Sequence, residues 1–271
     1  MSLLPTIGAV DQDTGFYNDV ATQSLRFSYV SAEAYLTKTP DASNRKTHTL
    51  SFWLKRVSLG STQGILRATG NSDTTTTDIW FDNNDRLEYM GTSSYWRVTT
   101  QRFRDTSSWY HIIIATDTVQ SGATFSNANT IKIYVNGVQV TAFAETANMS
   151  ENTAYGIGGN VAHTWGKGLG NFEGYIAEIN FIDGLALDEN SFGEFKNGVW
   201  VAKKYSGAYG TEGYHFEFKE TGTGTASTST IGADTSGLNN HFTSSGIDVF
   251  DSNMPDSPEN NFCTFNPLDK N

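Results

Sequence analysis

Short runs in which apolar and polar residues alternate recur along the chain, separated by clusters of Gly, Asn, Asp, Ser and Thr. A two-residue period puts successive side chains on opposite faces of a strand, so the pattern predicts many short β-strands joined by turns. Over residues 48–55, Leu50, Phe52 and Leu54 fall on one face and Ser51, Trp53 and Lys55 on the other. Residues 131–135 run into Asn136-Gly137 and leave through Val138-Gln139-Val140. Asn-Gly between alternating runs predicts a type I′ hairpin, because both central residues of that turn need positive φ. Residues 82–85, between Ile79-Trp80-Phe81 and the run 86–89, predict a second hairpin turn. Residues 109–115 are apolar on both faces, as a central strand is, and residues 172–182 read as another strand. Helical periodicity is nearly absent; one short helix is expected over residues 188–195, capped near Asp188. Thr/Gly/Ser stretches at 73–77 and 221–230 read as loops, and residues 156–159 as a turn. The expected fold class is all-β, a sandwich or a barrel.

Composition narrows the function classes. Acidic residues outnumber basic ones, 29 to 18, for a net charge of −11. Such a surface repels nucleic acid and anionic membranes, so neither is expected as a partner. No apolar run has the length of a membrane helix, and the opening Met1-Ser2-Leu3-Leu4-Pro5 lacks the basic and apolar regions of a secretion signal. With 271 residues the chain can bury a core without staples, and its single Cys263 can form no internal bridge and reads as a small hydrophobe.

Several ordered segments resemble a known family. They are Ser24-Leu25-Arg26-Phe27, residues 34–40 and 44–56, Trp109-Tyr110-His111, residues 131–137, residues 172–184 and Gly198-Val199-Trp200. Near the end, residues 256–262 and Asn266-Pro267-Leu268 continue the series. Together they resemble the laminin-G-like, concanavalin A-like jelly-roll proteins of tailed bacteriophage virions. The resemblance implies a jelly roll over residues 21–220, with an assembly arm at 1–20 and a loop-rich C-terminal extension at 221–271 leading toward a further domain. It also implies a virion location, contacts with other virion proteins, and a homotrimer by analogy with fibres. The expected function is that of a virion structural protein, a fibre, adhesin or decoration subunit that attaches through protein contacts and host-surface glycan. The alternative is a carbohydrate-binding lectin module, and a polysaccharide depolymerase is a third reading. Similar domains often open with a strand, an acidic stretch and an Asp-x-Ser-Gly-x-x-Asn turn. Here that order comes late, at 214–218, 219–222 and 234–240, so residues 214–218 are expected to pair into the sandwich with Phe216 buried.

Candidate chemistry is sparse. Glycoside hydrolysis needs two carboxyls flanking one bond, but Glu178 and Asp183 have opposite parity in a regular strand, and Asn180 stands between them. The five histidines, His48, His111, His163, His215 and His241, show no metal-ligand spacing. No catalytic residue, metal site or cofactor is therefore assigned. Asp11, Asp13, Asp82 and Asp85 are the places where calcium would first be sought. Trp80, Tyr95, Trp96 and Trp165 lie near turns, where a ring can stack on a sugar, and are the candidate ligand-binding residues. Trp53, Trp109 and Trp200 lie in runs that look packed.

Overall fold

The computed structural model describes residues 15–28, 33–41, 43–70, 76–91, 94–120 and 125–261. Its strands begin with β1 (Leu25–Phe27), β2 (Tyr35–Lys38), β3 (Thr47–Arg56), β4 (Gln63–Thr69), β5 (Thr77–Phe81) and β6 (Arg86–Met90). Next come β7 (Tyr95–Arg102), β8 (Tyr110–Asp117), β9 (Ile131–Val135), β10 (Val138–Gln139), β11 (Phe143–Thr146) and β12 (Ala162–Trp165). The last are β13 (Gly174–Asp183), β14 (Gly193–Lys196), β15 (Val199–Ala202), β16 (Tyr214–Phe216) and β17 (Thr243–Ser245).

Two antiparallel sheets face each other. The first has the order β1-β13-β3-β8-β9-β10, and β16 pairs with the second half of β13 on the edge that β1 occupies along its first half. The second has the order β11-β7-β6-β5-β4-β12-β2-β17. Leu50, Phe52 and Leu54 of β3 meet Ile79 and Phe81 of β5 and Leu87 and Tyr89 of β6 in one core. This is an antiparallel sandwich, one of the two forms that the alternation predicts, and the jelly roll that the resemblance implies. Its inward positions are the apolar members of each alternating run, and their removal from water is the main favourable term in folding.

The turn chemistry acts as expected at Asn136 (φ 48°) and Gly137 (φ 76°), which join β9 to β10. A Cβ on Gly137 would lie 2.3 Å from the Trp200 ring, so this turn requires glycine for space as well as for φ. β8 is central, between β3 and β9. β16 pairs with β13 through Ile179–Phe216 and Phe181–Tyr214, and Phe216 is fully buried, which meets the expectation for residues 214–216.

One element differs from the sequence expectation. The helix expected over residues 188–195 is only a single 3-10 turn, Glu189–Ser191, after which the chain enters β14. Asn197 (φ 51°) and Gly198 (φ 81°) turn β14 onto β15, so hairpin pairing outcompetes a helix that has no apolar stripe to bury. A one-turn helix, α1 (Asn127–Thr130), was not foreseen; the Ser126 side chain caps it by accepting from the Asn129 amide.

The described part of the C-terminal segment packs on the sandwich. β17 pairs with β2, Ser24 bridges Met254, and the Lys55 ammonium meets the Asp256 carboxylate at 3.0 Å with both groups buried. Where the arm is described, the Val20 and Ala21 amides donate to Glu259, and Asn18 donates to Glu194 and to the Ala202 carbonyl. Cys263, Asp11 and Asp13 lie outside the described residues.

Candidate functional site

The core-facing residues of the second sheet fix which side chains point away from it. With Ile79, Phe81, Leu87 and Tyr89 inside, Asp78, Trp80, Arg86 and Glu88 stand on the outer face. Leu66 and Ala68 are likewise inside, which sends Arg67 outward. The register then sets two rows across the strands. One runs Gly64, Trp80, Glu88, Val98, Glu145; the next runs Thr164, Arg67, Asp78, Met90, Tyr95. Gly64 lets a neighbouring loop close beside Trp80, since a Cβ there would sit 2.4 Å from the Gly168 amide nitrogen. A Cβ on Gly168 would itself lie 3.5 Å from an Asp78 carboxyl oxygen, so the 166–171 loop walls the face at Asp78.

Four polar atoms on this face are buried and lack a hydrogen-bond partner among the described residues: Arg67 Nε, Asp78 Oδ1, Trp80 Nε1 and Glu88 Oε2. Buried polar groups are paired in the great majority of cases, so four orphans on one face need a cause. Arg67 lies 3.5 Å from Asp78, within ion-pair reach but without a hydrogen bond at that oxygen. Arg86 lies 3.7 Å from the Glu88 carboxyl, yet its close bond, at 2.7 Å, goes to Asp82. Burial raises the Asp78 carboxyl to about 6, with Arg67 pulling in the other direction. Burial also raises Glu88, to about 7; Asp82 and Glu145 add to the shift and Arg86 opposes it. Asp78 is 2% exposed and Glu88 4%, while Trp80 keeps part of its ring open to solvent.

The four aromatic candidates separate. Trp80 lies at the centre of this face, opposite Glu88. Tyr95 is 40% exposed and lies across β6 from Asp78, two strand spacings or about 10 Å away. Trp96 and Trp165 are corrected: they are 2% and 0% exposed and present no ring to a ligand. Trp96 packs edge-on against Tyr89 and Tyr155, and Trp165 packs against Phe52 while its Nε1–H donates to the Tyr214 hydroxyl at 2.9 Å. Proximity to a turn misled there, because the inward parity of both residues outweighs it. Asp78, Glu88 and Arg67 were not singled out from the sequence, although the Asp82–Asp85 turn fixes Trp80 beside Glu88 once the pairing is drawn.

A second polar cluster lies on the outer face of the first sheet. β13 is irregular between Ala177 and Asn180, where Glu178 takes φ +48° and turns its carboxylate to His215 Nε2 at 2.6 Å. Burial works against a charged His215, but the Glu178 charge and hydrogen bond outweigh it, and the ring is held above its ordinary value. His215 Nδ1 meets Thr235, the Tyr209 hydroxyl donates to Asn180, and Ser51 meets His111, whose other nitrogen accepts from Trp200 Nε1. Asp183 is occupied elsewhere, accepting from the Asn44, Thr211 and Glu212 amides. This cluster is satisfied from within the chain, so it holds β16 and the β14–β15 hairpin to the sheet. Asp82 and Asp85 are committed too: Asp82 accepts from the Asn84 and Arg86 amides and from the Arg86 side chain. Asp85 accepts from the Gly60 amide and pairs with Arg56 and Arg104. Among the described residues, no group of three or more His, Cys, Asp or Glu side chains is placed to hold a metal ion.

Several solved structures share partial similarity. A SAP-like pentraxin from Limulus polyphemus is 16% identical, with 61% of this chain and 76% of that one covered at a TM-score of 0.40. Domain 4 of an extracellular arabinanase from Geobacillus stearothermophilus is 18% identical over 54% of this chain, which spans 64% of that domain, at a TM-score of 0.37. The CBM40 of a Ruminococcus gnavus sialidase is 12% identical, with 58% and 87% covered, at a TM-score of 0.37. No curated protein sequence matches. The family model described as the concanavalin A-like lectin/glucanases superfamily matches residues 29–190, which is more than half of the chain. On that match, which spans β2 to β13, the protein belongs to the concanavalin A-like lectin/glucanase superfamily.

Proposed function

We propose that the protein is a carbohydrate-binding module whose site is the outer face around Trp80. The observation that carries this reading is the set of four buried atoms without a hydrogen bond beside the half-open indole, two of which, Arg67 Nε and Asp78 Oδ1, face each other as an ion pair at 3.5 Å. Two are donors, Trp80 Nε1–H and Arg67 Nε–H, and two are carboxyl oxygens, on Asp78 and Glu88. A sugar hydroxyl both donates and accepts, so adjacent hydroxyls can meet neighbouring donors and acceptors while the apolar ring face lies on Trp80. The superfamily, whose description covers lectins and glucanases, is consistent with such a ligand.

Binding without cleavage is the better reading of the two carboxyls. General-acid catalysis with a carboxylate partner needs environments that push two pKa values apart. Here burial moves Asp78 and Glu88 in the same direction, to about 6 and about 7. In the virion setting that the sequence resemblance implies, the module would attach a particle to a host-surface glycan. The test is a glycan array followed by calorimetry on the best ligand, with wild type and Trp80→Ala side by side. Trp80→Ala is expected to weaken binding at least about tenfold, roughly the worth of a stacked, desolvated ring. Its melting temperature should stay close to that of wild type. Unchanged affinity in the variant would remove Trp80 from the site, and release of reducing sugar by wild type would replace binding with hydrolysis.

A further inference from the structure

The charges around Trp80 are unevenly matched. Two carboxylates act on Glu88, Asp82 (through its charge and a side-chain hydrogen bond) and Glu145, and among the described residues the guanidinium that opposes them is Arg86. Arg86 is already bonded to Asp82 through Nε at 2.7 Å and stands 3.7 Å from Glu88. Arg102, opposite Arg86 in the register, donates to the Asn84 carbonyl. Glu88 is 4% exposed, and its Oε2 meets no donor among the described residues. A cation from outside is the complement that this oxygen lacks, and an anion would meet like charge at Glu88 and at Glu145 in the same row.

Resting on the carbohydrate reading, we propose that the site selects a glycan carrying a free amino group, a de-N-acetylated hexosamine, with its ammonium at Glu88 and its ring on Trp80. The adjacent indole face favours the same group, since an ammonium beside an aromatic ring gains cation–π attraction. Sialic and uronic acids are refused because their carboxylates would face Glu88, Asp82 and Glu145. Two hydroxyls of the same residue remain to meet the Asp78 oxygen and the Arg67 Nε–H.

Calorimetry near neutral pH on the full chain tests this with four probes: a glucosamine tetramer, a neutral glucose tetramer, a galacturonate tetramer and spermidine. The glucosamine tetramer is expected to bind at least about tenfold more tightly than the neutral one, the effect of one close, partly desolvated charge pair. Glu88→Gln should bring the two affinities together, by weakening the glucosamine tetramer more than the neutral one, and Trp80→Ala should weaken both sugars. Equal affinity for the amino and neutral tetramers overturns the amine preference and leaves the carbohydrate reading standing. Tighter binding of the galacturonate overturns the charge argument. Spermidine binding as tightly as the glucosamine tetramer, or no binding by any probe, overturns the carbohydrate reading itself.

Discussion

Asp78 and Glu88 sit where a stable fold gains nothing from them. A carboxyl whose folded pKa lies above its unfolded value is favoured in the folded state only while protonated. Glu88, raised from 4.5 to about 7, therefore costs stability progressively as pH rises through that window, and at neutral pH much of the cost is present. Glu88→Gln keeps the shape and removes the ionisation. It is expected to stabilise the protein at pH 7.5 by roughly 1–3 kcal/mol and to have little effect near pH 4. Urea unfolding at the two pH values measures this, and a destabilised variant at pH 7.5 would mean that Arg86, 3.7 Å away, pairs with the Glu88 charge strongly enough to outweigh its burial. A residue that weakens the fold while lining an open aromatic platform fits the general trade between stability and activity. This part of the site was only half legible in the sequence. Trp80 was visible as an aromatic near a turn, but orphaned oxygens and shifted carboxyls exist only once the strands bury them.

At the scale of elements, the Asn-Gly signal was the most informative feature of the chain and was applied once where it occurs twice. Asn136-Gly137 predicts a hairpin; Asn197-Gly198 carries the same signal, yet the acidic start before it points to a helix. Asp188, Glu189 and Asn190 resemble a helix start, but the following Phe192 and Trp200 bury their rings in the folded-back hairpin, where the exposed Phe195 packs edge-on against Trp200. The two glycines differ in surroundings. A Cβ on Gly198 meets nothing within 4 Å, whereas one on Gly137 enters the Trp200 ring. Gly198→Ala is thus expected to cost about 1–2 kcal/mol, the left-handed backbone penalty. Gly137→Ala should cost a further 1–3 kcal/mol or so from overpacking. Chemical denaturation of both variants decides it; equal losses would mean that Trp200 moves aside freely.

At the scale of the whole molecule, the sandwich was legible because alternation survives averaging over many strands, while the segment after residue 220 looked like an appendage because loops carry no periodicity. Its anchoring depends on single polar residues such as Asp256, Asn240 and Glu259, which no local pattern distinguishes from solvent-facing ones. The same difficulty hid the histidines, which read as scattered although His48, His111, His163 and His215 are buried. His48 and His111 are each lowered by burial to about 3 and His163 to about 4. His48 faces the core with neither ring nitrogen bonded among the described residues, and nearby His163 lowers it further. A histidine depressed in the folded state contributes stability that is complete above the unfolded value of about 6.5 and is lost as pH falls toward the folded pKa. Three such groups titrating in one direction predict a steep loss of stability between pH 6.5 and 4, partly offset by Asp78 and Glu88, whose signs are opposite. Each depressed ring should account for about 2 kcal/mol between pH 6.5 and 5. His48→Leu replaces one of them with an apolar side chain of similar size that has no nitrogens to strand. The variant is expected to lose less stability than wild type on going from pH 7.5 to pH 5, by about that amount. Thermal and urea unfolding at both pH values measure the difference, and parallel acid limbs in the two proteins would show that His48 is protonated in the folded state at little cost.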